Sequence, residues 1–167
     1  MQTVIDDTEA ARLTELESYG IMDTQPELQF DTIVALARSL FDTPMAAITL
    51  VDHDRQWFKA RAGMDSSQTA REDSFCSHAM ESNGIFIIPD ASQDPRFANN
   101  PLVLGEPNIR FYAGAPLQLP GGEIVGTLCM IDRRPRTLDA MDRAIFGSLR
   151  ERVVGELVSQ DAQEVTG

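Results

Sequence analysis

The segment from Ile109 to Asp132 constrains the fold most. It reads Ile-Arg-Phe-Tyr-Ala-Gly-Ala-Pro-Leu-Gln-Leu-Pro-Gly-Gly-Glu-Ile-Val-Gly-Thr-Leu-Cys-Met-Ile-Asp, two apolar runs around a Pro-Gly-Gly turn, the pattern of a β-hairpin. With Gly121 and Gly122 at the turn, Leu119 is expected opposite Ile124, Pro116 opposite Thr127, Gly114 opposite Cys129 and Tyr112 opposite Ile131. Side chains alternate along a strand, so Ala113, Ala115, Leu117, Leu128 and Met130 share one face, suited to packed helices. Arg110, Tyr112, Gly114, Thr127 and Cys129 share the other. A cation, a phenol, a hydroxyl and a thiol around a glycine suit the wall of a small cavity. A plain core hairpin is the competing reading of the same residues.

Such a hairpin needs cover on both faces. Thr8 to Tyr19 has helical apolar spacing at Leu13, Leu16 and Tyr19 and is followed by Gly20, a helix with its stop signal. Thr24 three residues before Glu27, with Pro26 between them, predicts the start of a second helix reaching about Leu40. Its buried stripe would be Phe30, Ile33, Val34, Ala37 and Phe41. Met45 to Val51 reads as a strand, and Gln56 to Ala62 as its antiparallel partner, exposed on one side. Met64 to Glu72 is polar and irregular. Asp73 and Ser74 offer caps for a short helix around Phe75 to Met80, Ile85 to Ile88 is a further strand, and Asp90 to Asn108 is a loop long enough to carry function. A last helix is predicted from Thr137 or Leu138, with Met141, Ile145, Leu149, Val153 and Leu157 at every fourth position. Ala144, Phe146, Val154 and Val158 widen that stripe beyond one packing surface, which implies a second one, as in a dimer.

At 167 residues the chain fits one domain with a sizeable core. Expected bounds are a disordered 1–7, a single domain over 8–160 and a tail over 161–167. A formal charge of −12, from 14 basic and 26 acidic residues, disfavours nucleic acid and anionic membrane as partners. No apolar run approaches the ~20 residues that span a bilayer, and the start of the chain is acidic, so a cytoplasmic location is expected. Two cysteines make no disulfide framework. No nucleophile and base stand at recognisable spacing, and no phosphate-binding loop is present; no catalytic residue is assigned.

Cys76 falls in the first turn of its short helix, where unpaired N–H groups favour a thiolate, and it is expected to approach Cys129 across the cavity. Inert burial of both thiols is the competing reading. Arg110 and Tyr112 are the candidates for holding an anionic ligand, by a guanidinium fork and a phenolic hydrogen bond. Arg96 and Asp90 from the long loop would complete that site, and Thr127, His78 and Phe97 complete the candidate ligand-binding set, with Trp57 a further possible wall. The alternative is that Arg96 or Arg110 pairs with Asp90, Asp94 or Asp132 and ties the loop down. Cys76, His78 and Cys129 supply only three ligands, without the CxxC pair of a structural zinc site, so no metal is assigned.

The segments Arg12, Leu16, Tyr19, Ile21, Asp23 and Thr24, then Pro26-Glu27, Phe30-Asp31, Leu50-Val51-Asp52, Arg55-Gln56-Trp57-Phe58-Lys59, Ser74-Phe75-Cys76-Ser77-His78-Ala79 and Asp94-Pro95-Arg96-Phe97, with the hairpin, form a set that resembles a GAF domain. The likeness runs from about Ala10 to Val158 and is nearest a bacterial sensor subgroup. It implies an α+β, PAS-related fold: a five- or six-stranded antiparallel sheet, N- and C-terminal helices on one face, and a short helix plus long loop over a pocket on the other. Members of that subgroup usually precede a histidine kinase or diguanylate cyclase and signal through a parallel helical dimer. Bilin-binding relatives carry a cysteine directly followed by histidine, whereas Ser77 separates Cys76 from His78 here, so a photoreceptor is not expected. Relatives that reduce free methionine sulfoxide use three cysteines, and this chain has two. The expected function is a small-molecule-binding sensory module in a homodimer joined by its terminal helices, with ligand and cofactor unidentified and a kinase or cyclase as the possible partner. The alternatives are a thiol redox sensor or reductase using Cys76 and Cys129, and a ligand-free dimerisation scaffold.

Overall fold

The computed structural model describes residues 7–71, 75–82 and 84–166. In chain order the elements are α1 (Asp7–Ser18), α2 (Leu28–Phe41), β1 (Met45–Val51), β2 (Arg55–Ala62), β3 (Gln68–Ala70), α3 (Phe75–Ala79), β4 (Phe86–Ile88), α4 (Pro101–Leu104), β5 (Phe111–Gln118), β6 (Ile124–Asp132) and α5 (Ala140–Thr166). The six strands form one antiparallel sheet in the order β3-β2-β1-β6-β5-β4. The predicted caps Asp73 and Ser74 lie outside the described residues.

The β5–β6 hairpin pairs Tyr112 with Ile131, Gly114 with Cys129 and Pro116 with Thr127, the expected register. Nearer the turn it differs. Gln118 rather than Leu119 stands opposite Ile124, because an irregularity after Leu117 adds a residue on β6, and the Leu119 N–H donates to the Glu123 carbonyl instead. The two faces are otherwise sorted as the alternation requires. Ala113, Ala115, Leu117, Leu128 and Met130 pack with Phe30, Ile33, Val34 and Ala37 of α2 and Phe146, Leu149, Val153 and Leu157 of α5. Tyr112 and Cys129 pack with Phe75, Phe97 and Val103 from the elements that cover the opposite face.

Several elements depart from the sequence expectation. Strand β2 is not exposed on one side: Lys59 is 3% accessible. The pairing shifts between Ile48 and Thr49, so that Thr49 opposes Phe58 while Ile48 opposes Ala60. Lys59 is the extra residue of a β-bulge. Trp57 and Ala60 therefore both join the helix-side core, and the Lys59 ammonium reaches Thr24 Oγ1 at 2.7 Å, the Gln25 carbonyl at 2.6 Å and Glu27 Oε2 at 2.6 Å. This explains the later start of α2. Thr24 donates to the Ile21 carbonyl and accepts from Lys59, so it does not cap the helix, and the extended Glu27 precedes Leu28 without a side-chain cap. In α5, Met141 is 68% accessible, and the buried positions run Phe146, Leu149, Val153 and Leu157. The polar edge strand β3 had no apolar signal to announce it, and the long loop contains α4, capped by Asn100 on the Leu102 N–H.

Two contacts close the layers. Arg12 of α1 donates to the Val51 carbonyl at 2.7 Å and forks onto Glu9, which Arg71 also contacts at 2.7 Å. At the other end, Arg136 bonds the Phe41 and Asp42 carbonyls at the end of α2 and pairs with buried Asp132 at 3.1 Å. In the sheet centre, Gly126 opposes Leu50, and a Cβ on residue 126 would lie 1.9 Å from the Thr49 carbonyl oxygen. Gly126→Ala is therefore expected to force β1 and β6 apart and lower stability by about 3 kcal/mol, read as a lower urea midpoint with an unchanged slope.

The Arg12 hydrogen bond to Glu9 outweighs partial burial and, with Arg71, holds that carboxyl at about 2 rather than 4.5. A depressed carboxyl pKa contributes stability that is complete above 4.5 and is lost as pH falls toward 2. Glu9→Gln should flatten the acid limb of a pH series of urea midpoints across that window. It should also cost about 1 kcal/mol at neutral pH, since solvent screens part of the interaction.

Candidate ligand cavity and its thiol cluster

On the face opposite α1, α2 and α5, the sheet floors a cavity of about 260 Å³. Met45 of β1, Phe58 of β2, Tyr112 of β5 and Cys129 and Ile131 of β6 line it, with Phe75 and Cys76 of α3. Its mouth is bounded by the Met64–Ser66 turn, by Glu106 and Pro107 in the long loop, and by Arg133. Apolar walls with few polar groups, at the meeting of several elements, are the usual make-up of a small-molecule site.

The polar groups converge on one sulfur. Cys76 Sγ lies 3.0 Å from Thr127 Oγ1, 3.1 Å from the Tyr112 hydroxyl and 3.3 Å from Thr49 Oγ1, which donates to it. Thr49 and Thr127 are directly paired across β1 and β6, and their hydroxyls are 2.9 Å apart. Cys129 lies two positions beyond Thr127 on the same face of β6 and lines the same cavity. Burial pushes the Cys76 thiol up, but donation from Cys129, Thr127, Thr49 and Tyr112 outweighs it and leaves Cys76 more acidic than an ordinary cysteine. Cys129 moves the other way, first because of its bond to Cys76 and then because of burial. Burial likewise drives the Tyr112 hydroxyl well above its ordinary range, so it stays a donor.

The position of Tyr112 depends on a missing side chain. A Cβ on residue 114 would lie 2.4 Å from the Tyr112 hydroxyl oxygen, so the phenol lies along its own strand over Gly114 and reaches α3. The helix in turn presents Cys76 because Phe75 is stacked on Phe97, ring centroids 4.3 Å apart.

Of the residues singled out in the sequence, Tyr112, Cys76 and Cys129 line the cavity, and Thr127 stands behind Cys76. The others lie elsewhere. Arg110 donates to the Val103 and Ile109 carbonyls at 3.0 and 2.9 Å, and Arg96 forks onto Asp94 and lies over the Phe86 and Phe97 rings. Asp90 accepts from the backbone N–H and hydroxyl of Ser92. His78 is exposed and meets the edge of Phe97, Phe97 is buried behind Phe75, and Trp57 belongs to the helix-side core. Thr49, Phe58 and the residues of the mouth were missed. Thr49 alone left a signal, as the single hydroxyl in the otherwise apolar run of β1. Among the described residues, no group of three or more His, Cys, Asp and Glu is placed to hold a metal ion, and no helix is long and apolar enough to cross a membrane.

A two-faced antiparallel sheet, helices on one side and a covered cavity on the other, defines an α+β fold. The chain belongs to the GAF domain family, whose model matches residues 25–157. It is 48% identical over 128 residues to a cyclic di-GMP phosphodiesterase of Pseudomonas aeruginosa, an alignment covering 77% of this chain and 22% of that enzyme. The chain thus spans about a fifth of the length of that relative. Among solved structures, the GAF domain of an Acinetobacter phosphoenolpyruvate-protein phosphotransferase superimposes with a TM-score of 0.67 at 17% identity, covering 94% of this chain and 96% of that one. Free methionine-R-sulfoxide reductase of Neisseria meningitidis, solved with its substrate, gives 0.65 at 15% identity, covering 98% and 97%. These two likenesses are of fold.

Tyr112→Phe removes one donor to Cys76 without changing shape. The midpoint of thiolate formation, followed by ultraviolet absorbance across pH, is expected to rise by about one pH unit, with the circular dichroism spectrum unchanged.

Proposed function

We propose that this GAF domain is the small-molecule-responsive module of a bacterial signalling protein, acting as a homodimer whose terminal helices carry the response. The observation that carries the reading is the cavity: apolar walls, a cluster of hydrogen-bonding groups on its floor, and Asp65, Glu106 and Arg133 at its mouth. Drug-sized sites occupy roughly 300–1,000 Å³, so at about 260 Å³ this one suits a compact metabolite rather than a cyclic dinucleotide. Identity to the cyclic di-GMP phosphodiesterase supports an output in cyclic di-GMP turnover, with that nucleotide belonging to the output rather than to this cavity. Helix α5 supports the dimer. Ile145 on one edge of its core stripe and Val154 and Val158 on the other are half-buried, and Met141 and Ala144 are exposed, apolar surface left for a partner helix.

Native and denaturing mass spectra of the same purified sample test this. A dimer carrying extra mass that disappears on denaturation is the expected result. Ser66→Trp, an exposed position at the mouth, should abolish the extra mass and leave the dimer intact. A monomer would overturn the helical signalling route, and a bare dimer indifferent to added cell metabolites would overturn the ligand reading.

A further inference from the structure

The thiol cluster carries chemistry that ligand binding does not require. Three hydroxyls lie within 3.3 Å of Cys76 Sγ, and that of Thr49 donates to it. A neutral thiol has one proton to give and is a weak acceptor. Three hydroxyls able to turn their hydrogens onto one sulfur suit a thiolate, with those hydrogens taking the place of a cation. Cys76 and Cys129 both line the cavity, whose mouth includes exposed Ser66, the way in for a small reagent. Thr127, whose hydroxyl is 3.0 Å from Cys76 Sγ, shares its face of β6 with Cys129 two positions on, which brings the two cysteines to one part of the cavity although they are separated in sequence by most of the cavity-covering segment.

We propose that Cys76 and Cys129 form an oxidisable thiol pair in this cavity, with a small hydroperoxide as the substrate and Cys76 as the residue it oxidises first. The Cys76 thiolate attacks the terminal peroxide oxygen: the S–O bond forms, the O–O bond breaks, and the departing alkoxide or hydroxide takes the proton that Cys76 gave up. The product is a sulfenic acid at Cys76 and an alcohol or water. Cys129 then attacks that sulfur. An S–S bond forms, the S–O bond breaks, and hydroxide leaves with the Cys129 proton as water. A dithiol reductant returns both thiols. Tyr112, Thr49 and Thr127 are positioning residues, since they act on Cys76 and not on the peroxide. Closing the disulfide removes the thiolate that the hydroxyls surround and pulls α3 toward β6, which makes the covalent state of the pair a signal in its own right. The inference rests on the cavity being open to small molecules, as the functional reading does, but not on any resident ligand.

The test is stoichiometric hydrogen peroxide on the full chain at neutral pH, followed by denaturing mass spectrometry. The wild type is expected to lose two hydrogens within one chain and to regain them with dithiothreitol. Cys129→Ala should instead gain one oxygen at Cys76, trapped by dimedone, while Cys76→Ala should keep its mass. Tyr112→Phe should slow the wild-type loss at least about threefold at neutral pH, with the difference vanishing at alkaline pH where the thiol is ionised anyway. Unchanged wild-type mass under conditions that oxidise free glutathione would overturn the proposal, as would equal reactivity of Cys76→Ala and Cys129→Ala. Either failure leaves the mass-spectrometric ligand test standing, and a bare dimer that nevertheless forms the disulfide would remove the resident ligand and keep the thiol pair.

Discussion

The helix layer and the cavity are both set by a bulge that buries the chain's single lysine. Moving an ammonium out of water costs several kcal/mol unless it is fully partnered, so Thr24, Gln25 and Glu27 must be held where Lys59 points. That requirement fixes the segment leading into α2, and through Gln160, which donates to Glu27, it reaches the far end of α5. The same bulge decides what faces the other way. Without the extra residue, Trp57 and Ala60 could not both meet the helices while Phe58 lines the cavity.

A second constraint acts through absent atoms. Gly126 lets β1 and β6 approach at the point where Thr49 and Thr127 pair, and Gly114 lets Tyr112 lie flat enough to reach Cys76. Both glycines sit in strands, where they weaken local structure. The close approaches they permit offset that cost, and the cluster around Cys76 depends on both.

How legible this was in the sequence follows from the range of each interaction. The hairpin faces were readable because alternation holds over most of β5 and β6, so the cavity-side grouping of Tyr112, Thr127 and Cys129 came out of pattern alone. Strand β2 was misread because a bulge breaks alternation without any mark in residue type: Lys59 looks like a solvent-facing residue until its partners, more than thirty positions upstream, are in place. Arg110 shows the same limit from the other side. A guanidinium on the cavity side of the hairpin suits an anionic ligand, but in the folded chain it bonds two carbonyls of the covering loop. Residue type gave the chemistry available, and distance decided what it is used for.

For a sensory domain, what matters is whether cavity and output helix share a bistable element, since a ligand shifts only equilibria whose states it binds differently. The layout narrows the choice. Phe58 touches the cavity, and its neighbour Lys59 holds Glu27, which Gln160 of α5 also binds. Displacing Phe58 outward therefore strains a part-buried ion pair rather than a soft apolar contact, and packed interfaces of that kind change in discrete steps. A second connection runs through β6: Cys129 and Ile131 line the cavity, Asp132 follows, and Arg136 bridges Asp132 to the end of α2. An event at Cys129 acts on this strand directly, whereas a ligand resting on Phe58 acts on the bulge. The two proposed inputs at this cavity would thus reach the helical layer at opposite ends, the β6 input at the C-terminal end of α2 and the bulge input at its start and at the far end of α5.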